Sequence, residues 1–395
     1  MTESKKMKKL ACTLVALGAA SALMLSGCSS QRTPGDSGTS SSSGATGSAS
    51  ASESAPAATG FAADATIGVS LPQKTSENWV LAEGLFNQGL SAAGFKPMVS
   101  FADGGVTEQQ NQIQAMIESS AKVIVIGAID GSQLGTQLEA AKKSGATTIA
   151  YDRLLMNTPD VDMYVAYDNC KVGELQGTAL LDGLTKLQGP SPWNIELIAG
   201  SPDDANSVPF FDCAMDVLQP KIDDGTLNVL SGQTSRDQVA TQGWLAQNVQ
   251  TRFDAIMSGY YSGGTILNGI LSPNDTLARA ALTSVEAAGQ SVVPVITGQD
   301  SEVESINLIA DGKQYSTINK DTNTLVAKVI DIVKTLQQGG TVEFNDTTSY
   351  NNGVKVVPAY LLPPVIVTQD NLCTAYAAGT AAGDAAAALD FCKNG

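Results

Sequence analysis

KVIVIGAIDGSQLGTQLEAAKKSGATTIAYDR, residues 122–153, contains the unit from which the fold is built. An apolar run of strand length, 122–128, gives way to a turn. QLGTQLEAAKKSG (133–145) follows, long enough for a helix, and then a second apolar run, TTIAYD (147–152). Apolar strands alternating with helices are the pattern of a parallel sheet covered on both faces. The second run ends on Asp152 and Arg153 side by side. Ligands of open parallel sheets sit beyond the carboxyl ends of the strands, so these charges stand where a ligand would be met. A surface ion pair, a catalytic pair and a pair of prongs for a polar molecule all fit that placement.

The alternation extends in both directions. Upstream, ATIGVSL (65–71) precedes the helix-length segment 77–94, and FKPMVSFA (95–102) precedes a helix in which Ile113, Met116 and Ile117 share one face. Downstream, MYVAYDN (163–169) leads to a helix over 170–187, and WNIELIAG (193–200) to one over 208–219. TLNVLS (226–231) leads to a helix near 238–260, TILNGILS (265–272) to one over 275–289, and PVITGQD (294–300) closes the series. These are too many strands for one compact sheet, and residues 61–395 are too many for a single core. The predicted fold is therefore α/β, with two doubly wound parallel-sheet lobes.

The residues directly after each apolar run form an unusual set. They are Asp152-Arg153, Asp168-Asn169, SPDDAN (201–206), SPND (272–275), Gln299-Asp300 and, after YSTIN (315–319), Lys320. Helix N-capping accounts for Asp168 and Asp275. It does not account for Arg153 or Lys320, nor for the acidic and amide cluster 203–206. Carboxylates, amides, one arginine and one lysine, with Trp79 and Trp244 in the same pattern, suit an uncharged polyhydroxylated ligand. Each hydroxyl both donates and accepts, so it satisfies carboxylates and cations together, at about 1.5–3 kcal/mol per charge-assisted bond. An indole face covers the apolar C–H patch of a pyranose.

Composition narrows the function classes. The chain has no histidine, which removes the commonest general base, the usual catalytic triads and most zinc sites. No catalytic role, metal or cofactor is expected. A GxxxxGK[ST] phosphate loop is absent too, which argues against a P-loop nucleotide site. The formal charge of −16 argues against nucleic acid and against anionic membrane surfaces as partners.

Residues 1–27 read as a secretory signal, with Lys5, Lys6, Lys8 and Lys9 before an apolar stretch from Leu10 to Leu25. Leu25-Ser26-Gly27-Cys28 resembles a lipoprotein lipobox, which makes Cys28 the lipidation site. Residues 28–60 then form a flexible Ser/Gly/Ala tether. Cys170, Cys213, Cys373 and Cys392 remain, an even number in an exported chain. They allow three pairings, of which Cys170–Cys213 with Cys373–Cys392 is preferred.

At this point the ordered motifs GVSLPQKTSENW (68–79), IAYDRLL (149–155), YDNCKVGELQ (167–176), NIELIAGSPDDANS (194–207), SPND (272–275), TGQD (297–300), QYSTINKDT (314–322) and NGVKVVPAYLL (352–362) carry a family likeness. The chain resembles the periplasmic sugar-binding receptors of ATP-binding-cassette (ABC) importers, with the ribose-type (type I) fold, nearest to the xylose-binding and multiple-sugar-binding members. The likeness spans about residues 65–368. It implies hydroxyl contacts from Asp152, Arg153, Asp204, Asn206, Asn274, Asp300 and Lys320, a stacking Trp244, and Lys74 and Trp79 from the first loop. Asn78 stands where several members carry arginine, and Ala205 where members often carry asparagine.

The likeness further implies three lobe crossings, near 167–169, 320–322 and 339–341. The N-terminal lobe is then 61–168 with 321–340, and the C-terminal lobe 169–320 with 341–395; the alanine-rich tail 369–395, with its two cysteines, lies outside the likeness and reads as a helix stapled back onto the second lobe. The implied function is a monomeric lipoprotein on the outer side of the cell membrane, touching the membrane through its lipid only. It binds a monosaccharide of xylose, arabinose, glucose or galactose type and delivers it to an ABC permease and its ATPase. Three rivals stand beside this reading. A carbohydrate-active enzyme would use paired carboxylates, and the Asp-Arg adjacency argues against it. A ligand-responsive repressor would need a helix-turn-helix where the signal and tether lie. A receptor for another small polar ligand, such as a nucleoside or a signalling furanose, is the third.

Overall fold

A computed structural model describes residues 60–74 and 76–393. The signal, the Cys28 lipidation site and the tether up to residue 59 lie outside the described residues. The first lobe begins with β1 (Thr66–Leu71), α1 (Glu77–Ala92), β2 (Lys96–Phe101), α2 (Val106–Glu118), β3 (Val123–Ile126), α3 (Gly135–Lys143), β4 (Thr147–Tyr151) and β5 (Met163–Tyr167). The second holds α4 (Asn169–Leu187), β6 (Trp193–Leu197), α5 (Ser207–Asp223), β7 (Leu227–Asn228), α6 (Arg236–Val239), α7 (Ala246–Tyr260), β8 (Gly269–Leu271), α8 (Asp275–Ala287), β9 (Val295–Ile296), α9 (Val303–Ala310) and β10 (Thr317–Asn319). Then come α10 (Thr322–Gln337), β11 (Ala359–Leu362), β12 (Val365–Val367), α11 (Ala381–Ala388) and α12 (Asp390–Lys393).

The first sheet runs β2-β1-β3-β4-β5-β11 and every pairing in it is parallel. Its strands read as apolar runs because both faces are covered. Val123 and Val125 join the core under α1 and α10, whereas Ile124 and Ile126 point the other way, into the core under α2 and α3. The second sheet runs β7-β6-β8-β9, again parallel. β10 continues it through Tyr315 N–H to the Ile296 carbonyl at 3.0 Å and Asp300 N–H to the Ile318 carbonyl at 2.9 Å. β10 in turn pairs antiparallel with β12.

One boundary differs from the sequence expectation. Residues 341–362 belong with the first lobe, because β11 pairs in parallel with β5, from Ala359 opposite Tyr164 to Leu362 opposite Tyr167. The third crossing is therefore at Pro363-Pro364, not at 339–341. Prolines offer no N–H to a ladder, so the strand stops there and β12 begins in the other lobe. At the crossings, the Tyr167 hydroxyl donates to the Asp321 carbonyl at 3.0 Å and Asp168 N–H to the Leu362 carbonyl at 3.0 Å. The three connecting strands are thus tied to one another.

The helix expected near 238–260 is interrupted. It divides into α6, a single 3-10 turn at Gln242–Trp244, and α7, because Gly243 and Trp244 both take positive φ, 66° and 55°. The cysteines are joined as Cys170–Cys213, which ties α4 to α5, and Cys373–Cys392, which closes the tail on itself. The tail packs on α9 of the second lobe, with Leu372 and Ala386 buried against Ile306 and Ile309.

Candidate ligand-binding site

The carboxyl ends of the two sheets face each other across a cavity of about 60 Å³, room for about four to six water-sized groups. From the first lobe, Asp152 and Arg153 enter it together. Successive residues of a strand point to opposite faces, so a straight β4 could not deliver both. Arg153 N–H instead donates back to the Tyr151 carbonyl at 2.6 Å, with Asp152 between them at φ 61°. This is the i→i+2 bond of a γ-turn, a strained form for a non-glycine residue. Trp79 of α1 lies beside them, its ring 5.3 Å from the Arg153 guanidinium carbon.

The second lobe answers with Asp204, Asn206, Trp244, Asn274, Gln299, Asp300 and Lys320. Arg153 Nε lies 3.0 Å from Asp204 Oδ2 across the cleft, and the two side chains are only 11% and 3% exposed. The Trp244 indole N–H donates to the same oxygen at 3.2 Å, and Asn206 N–H to Asp204 Oδ1 at 2.9 Å. Lys320 Nζ stands 3.3 Å from Asp300 Oδ1 and 3.8 Å from Asp152 Oδ2, above the Phe210 ring. Behind this set, Asn206 Nδ2 and the Tyr164 hydroxyl both donate to the Asp152 carbonyl, at 2.9 and 2.6 Å. Asn169 Nδ2 links Asn206 Oδ1 to the Tyr164 oxygen. Tyr164 thus holds the γ-turn from within its own lobe, and Asn206 holds it from the opposite one.

Several cavity groups keep capacity to spare. Arg153 Nη1 donates to the Ala128 carbonyl, while its Nη2 has no protein partner among the described residues. Asn274 Oδ1 caps α8 by accepting from Leu277 N–H, which leaves Nδ2 unpartnered among the described residues. Gln299 Oε1 is buried without a partner, and Asp300 Oδ2 likewise has none among those residues. The arrangement offers separate donors and acceptors around a small space walled by two indoles. No group of three or more His, Cys, Asp or Glu among the described residues could hold a metal.

Local strain accompanies the site. Asp152, Trp244, Asp300 and Ser301 all take positive φ. Such conformations cost on the order of 1–3 kcal/mol each and persist only when surroundings over-determine them. Gly200 is part of that enclosure: a Cβ there would lie 2.2 Å from Trp244 Cη2, so only glycine lets the indole reach the cavity.

Of the residues singled out in the sequence, the structure brings nine together and does not bring Lys74. Its side chain is exposed, with Nζ over the Phe101 ring at 4.6 Å and the backbone N–H directed to Asp103. The cation has found an aromatic face outside the cleft. Sequence reasoning missed Tyr151, Tyr167 and Phe210, which also line the cavity, and named Gln299 at its strand end without counting it among the ligand contacts. Gln299 lies inside the quoted TGQD stretch and was legible as a strand-end amide. The aromatic residues carried only the signal of core residues.

A family profile described as periplasmic binding protein domain matches residues 67–341. The chain is 43% identical over 319 residues to the multiple sugar-binding periplasmic receptor ChvE of Rhizobium radiobacter, covering 80% of this chain and 90% of that protein. It is 32% identical over 311 residues to the D-xylose-binding periplasmic protein of Escherichia coli, covering 79% and 89%. Among solved structures, an ABC transporter solute-binding protein from Clostridium phytofermentans with bound β-D-glucose superposes with a TM-score of 0.75. That match has 38% identity and covers 78% of this chain and 94% of that one.

Burial and charge compete at the cavity. Burial raises the Asp204 carboxyl above the usual aspartate range, opposed by Arg153, and raises Asp300 likewise, opposed by Lys320. For Lys320, burial pulls downward but Asp300 and Asp152 outweigh it, so its ammonium is held above the ordinary lysine value. Ionising either aspartate therefore works against the folded closed form. That penalty is absent below the ordinary value of about 3.9 and complete above the raised one. Carbon-13 titration of the side-chain carboxyls is expected to show Asp204 and Asp300 titrating above 3.9. Midpoints at or below that value would mean the cations outweigh burial.

Proposed function

The chain belongs to the periplasmic binding protein family and is a sugar-binding receptor of ABC-type transport. From that premise we propose that it holds one aldopyranose, of xylose, arabinose, glucose or galactose type, between its lobes. It is a monomeric lipoprotein, tethered through Cys28 on the outer side of the cell membrane, and it hands the sugar to an ABC permease driven by a partner ATPase. Its relatives are receptors rather than enzymes.

One observation carries the choice of ligand. Three aspartates, Asp152, Asp204 and Asp300, surround the cavity together with Arg153 and Lys320. The charges come within one unit of cancelling, so neither an anion nor a cation is called for. Hydroxyl groups can satisfy both signs at once, donating to carboxylates and accepting from guanidinium and ammonium. The cavity's size suits a single ring with its hydroxyls, and Trp79 and Trp244 supply apolar faces for the ring carbons. The relatives' own ligands are consistent: several sugars for the receptor of Rhizobium radiobacter, D-xylose for that of Escherichia coli, and β-D-glucose in the Clostridium structure.

Closure follows from the same residues. In an open cleft Arg153 and Asp204 are separately hydrated. A sugar that bonds to both lobes makes the closed form the better-bonded one, and the ligand acts by its differential affinity for that form.

Arg153→Ala is expected to weaken aldopyranose binding by roughly 2–4 kcal/mol, the scale of removing one partner from a buried charged set. Asp300→Asn should act in the same direction. Titration calorimetry against aldopentoses, aldohexoses, a nucleoside and a furanose is the measurement. Unchanged binding of every compound by both variants would exclude this cavity. Preference for the nucleoside or the furanose would overturn the aldopyranose assignment.

Cys28→Ser is expected to release the protein from the membrane fraction. An unchanged fractionation would contradict the anchor, and undiminished uptake of the bound sugar in cells lacking the chain would contradict delivery to a permease.

A further inference from the structure

Asp300 and Ser301 are consecutive non-glycine residues in the left-handed region, at φ 94° and 54°. A conformation of that kind must be held from outside. The second lobe supplies three bonds for the purpose. Asp300 N–H donates to the Ile318 carbonyl at 2.9 Å, Ser301 N–H to Thr317 Oγ1 at 3.1 Å, and Glu302 N–H to Asp275 Oδ2 at 3.0 Å. A fourth comes from the tail: the half-buried Tyr376 donates its hydroxyl proton to Ser301 Oγ at 3.2 Å. One residue away, the Ala375 carbonyl accepts from Asn319 Nδ2 at 3.1 Å. Tail residues 375 and 376 therefore touch the immediate neighbours of both members of the Asp300–Lys320 pair in the cavity.

The tail is itself anchored just before this contact. Cys373, three residues before Tyr376, is joined to Cys392. Leu372 is buried against Ile306 and Ile309 of α9, and α9 follows directly on the strained loop. Residues 369–393 also lie beyond the stretch that the family profile matches.

We propose that the stapled tail is a positioning element for the sugar site, with Tyr376 bracing the Asp300–Ser301 turn so that the Asp300 carboxylate and Lys320 are pre-set for the ligand. This rests on the functional reading above. A ligand that meets a pre-set carboxylate avoids the ordering cost of fixing it, and that saving enters the affinity. Tyr376 acts through Ser301 and the turn, not by touching the sugar.

The test is a binding cycle by calorimetry, using whichever aldopyranose the parent chain binds most tightly. Tyr376→Phe keeps the ring and removes the hydroxyl, and is expected to weaken binding about three- to tenfold, the worth of one neutral hydrogen bond. The thermal midpoint without sugar should stay within about 2 °C of the parent, as for a change outside the core. Because the effect passes through Asp300, adding Tyr376→Phe to Asp300→Asn should weaken binding less than twofold further, whereas adding it to Arg153→Ala should give its full effect. The double variant Cys373→Ser/Cys392→Ser, which unstaples the tail, should weaken binding in the same direction. Parental affinity in Tyr376→Phe, or full additivity on the Asp300→Asn background, would overturn the inference while leaving the sugar site standing. A parent chain that binds no sugar would overturn the functional reading, and this inference with it.

Discussion

Arg153 of the first lobe and Asp204 of the second meet at 3.0 Å in a nearly dry cleft, and the closed molecule depends on that contact. Burying two charges is expensive unless their remaining hydrogen-bonding groups are satisfied. The protein meets part of that demand: Ala128 accepts from Arg153, and Trp244 and Asn206 donate to Asp204. The rest of the demand, at Arg153 Nη2 and around the Asp152–Lys320–Asp300 set, opens into the cavity. A polyhydroxylated guest between the lobes is thus the natural completion of a polar network that neither lobe can finish alone.

That requirement accounts for much of the local backbone. Two adjacent charges must leave one strand on the same side, so β4 ends in a γ-turn at Asp152. Trp244 must reach Asp204, so the segment after residue 239 breaks at Gly243 and Trp244, and Gly200 carries no side chain in the indole's way. Asp300 must face Lys320, so it and Ser301 adopt left-handed conformations. At the first and last of these turns strain is balanced by bonds from elsewhere: Tyr164 and Asn206 on the first, Thr317, Asp275 and Tyr376 on the last.

The layer architecture and most of the site were legible in the amino-acid sequence for one physical reason. Parallel strands buried on both faces read as apolar runs, and the rule that ligands sit beyond their carboxyl ends points at the next two or three residues. Asp152, Arg153, Asp204, Asn274, Asp300 and Lys320 were found that way, without any contact being known. What stayed hidden was set by tertiary choices. AYLL at 359–362 carries no mark saying which lobe's sheet it will extend, so the third crossing was misplaced by more than twenty residues. The periodicity of 238–260 is helical and gives no warning of the break that aims Trp244. Lys74 looked like a loop cation near Trp79, and only the direction of the chain turns it onto Phe101 instead. Tyr376 lies in an alanine-rich tail with no motif, and its bond to Ser301 could not be inferred from spacing.

The most direct measurement is a crystal structure of the chain grown with D-glucose or D-xylose. One pyranose between Trp79 and Trp244, with hydroxyls bonded to Asp152 and Arg153 from one lobe and to Asn274, Asp300 and Lys320 from the other, is the expected result. A sugar bound outside this cavity, or an occupied cleft in which Arg153 and Asp204 lie apart in solvent, would contradict it.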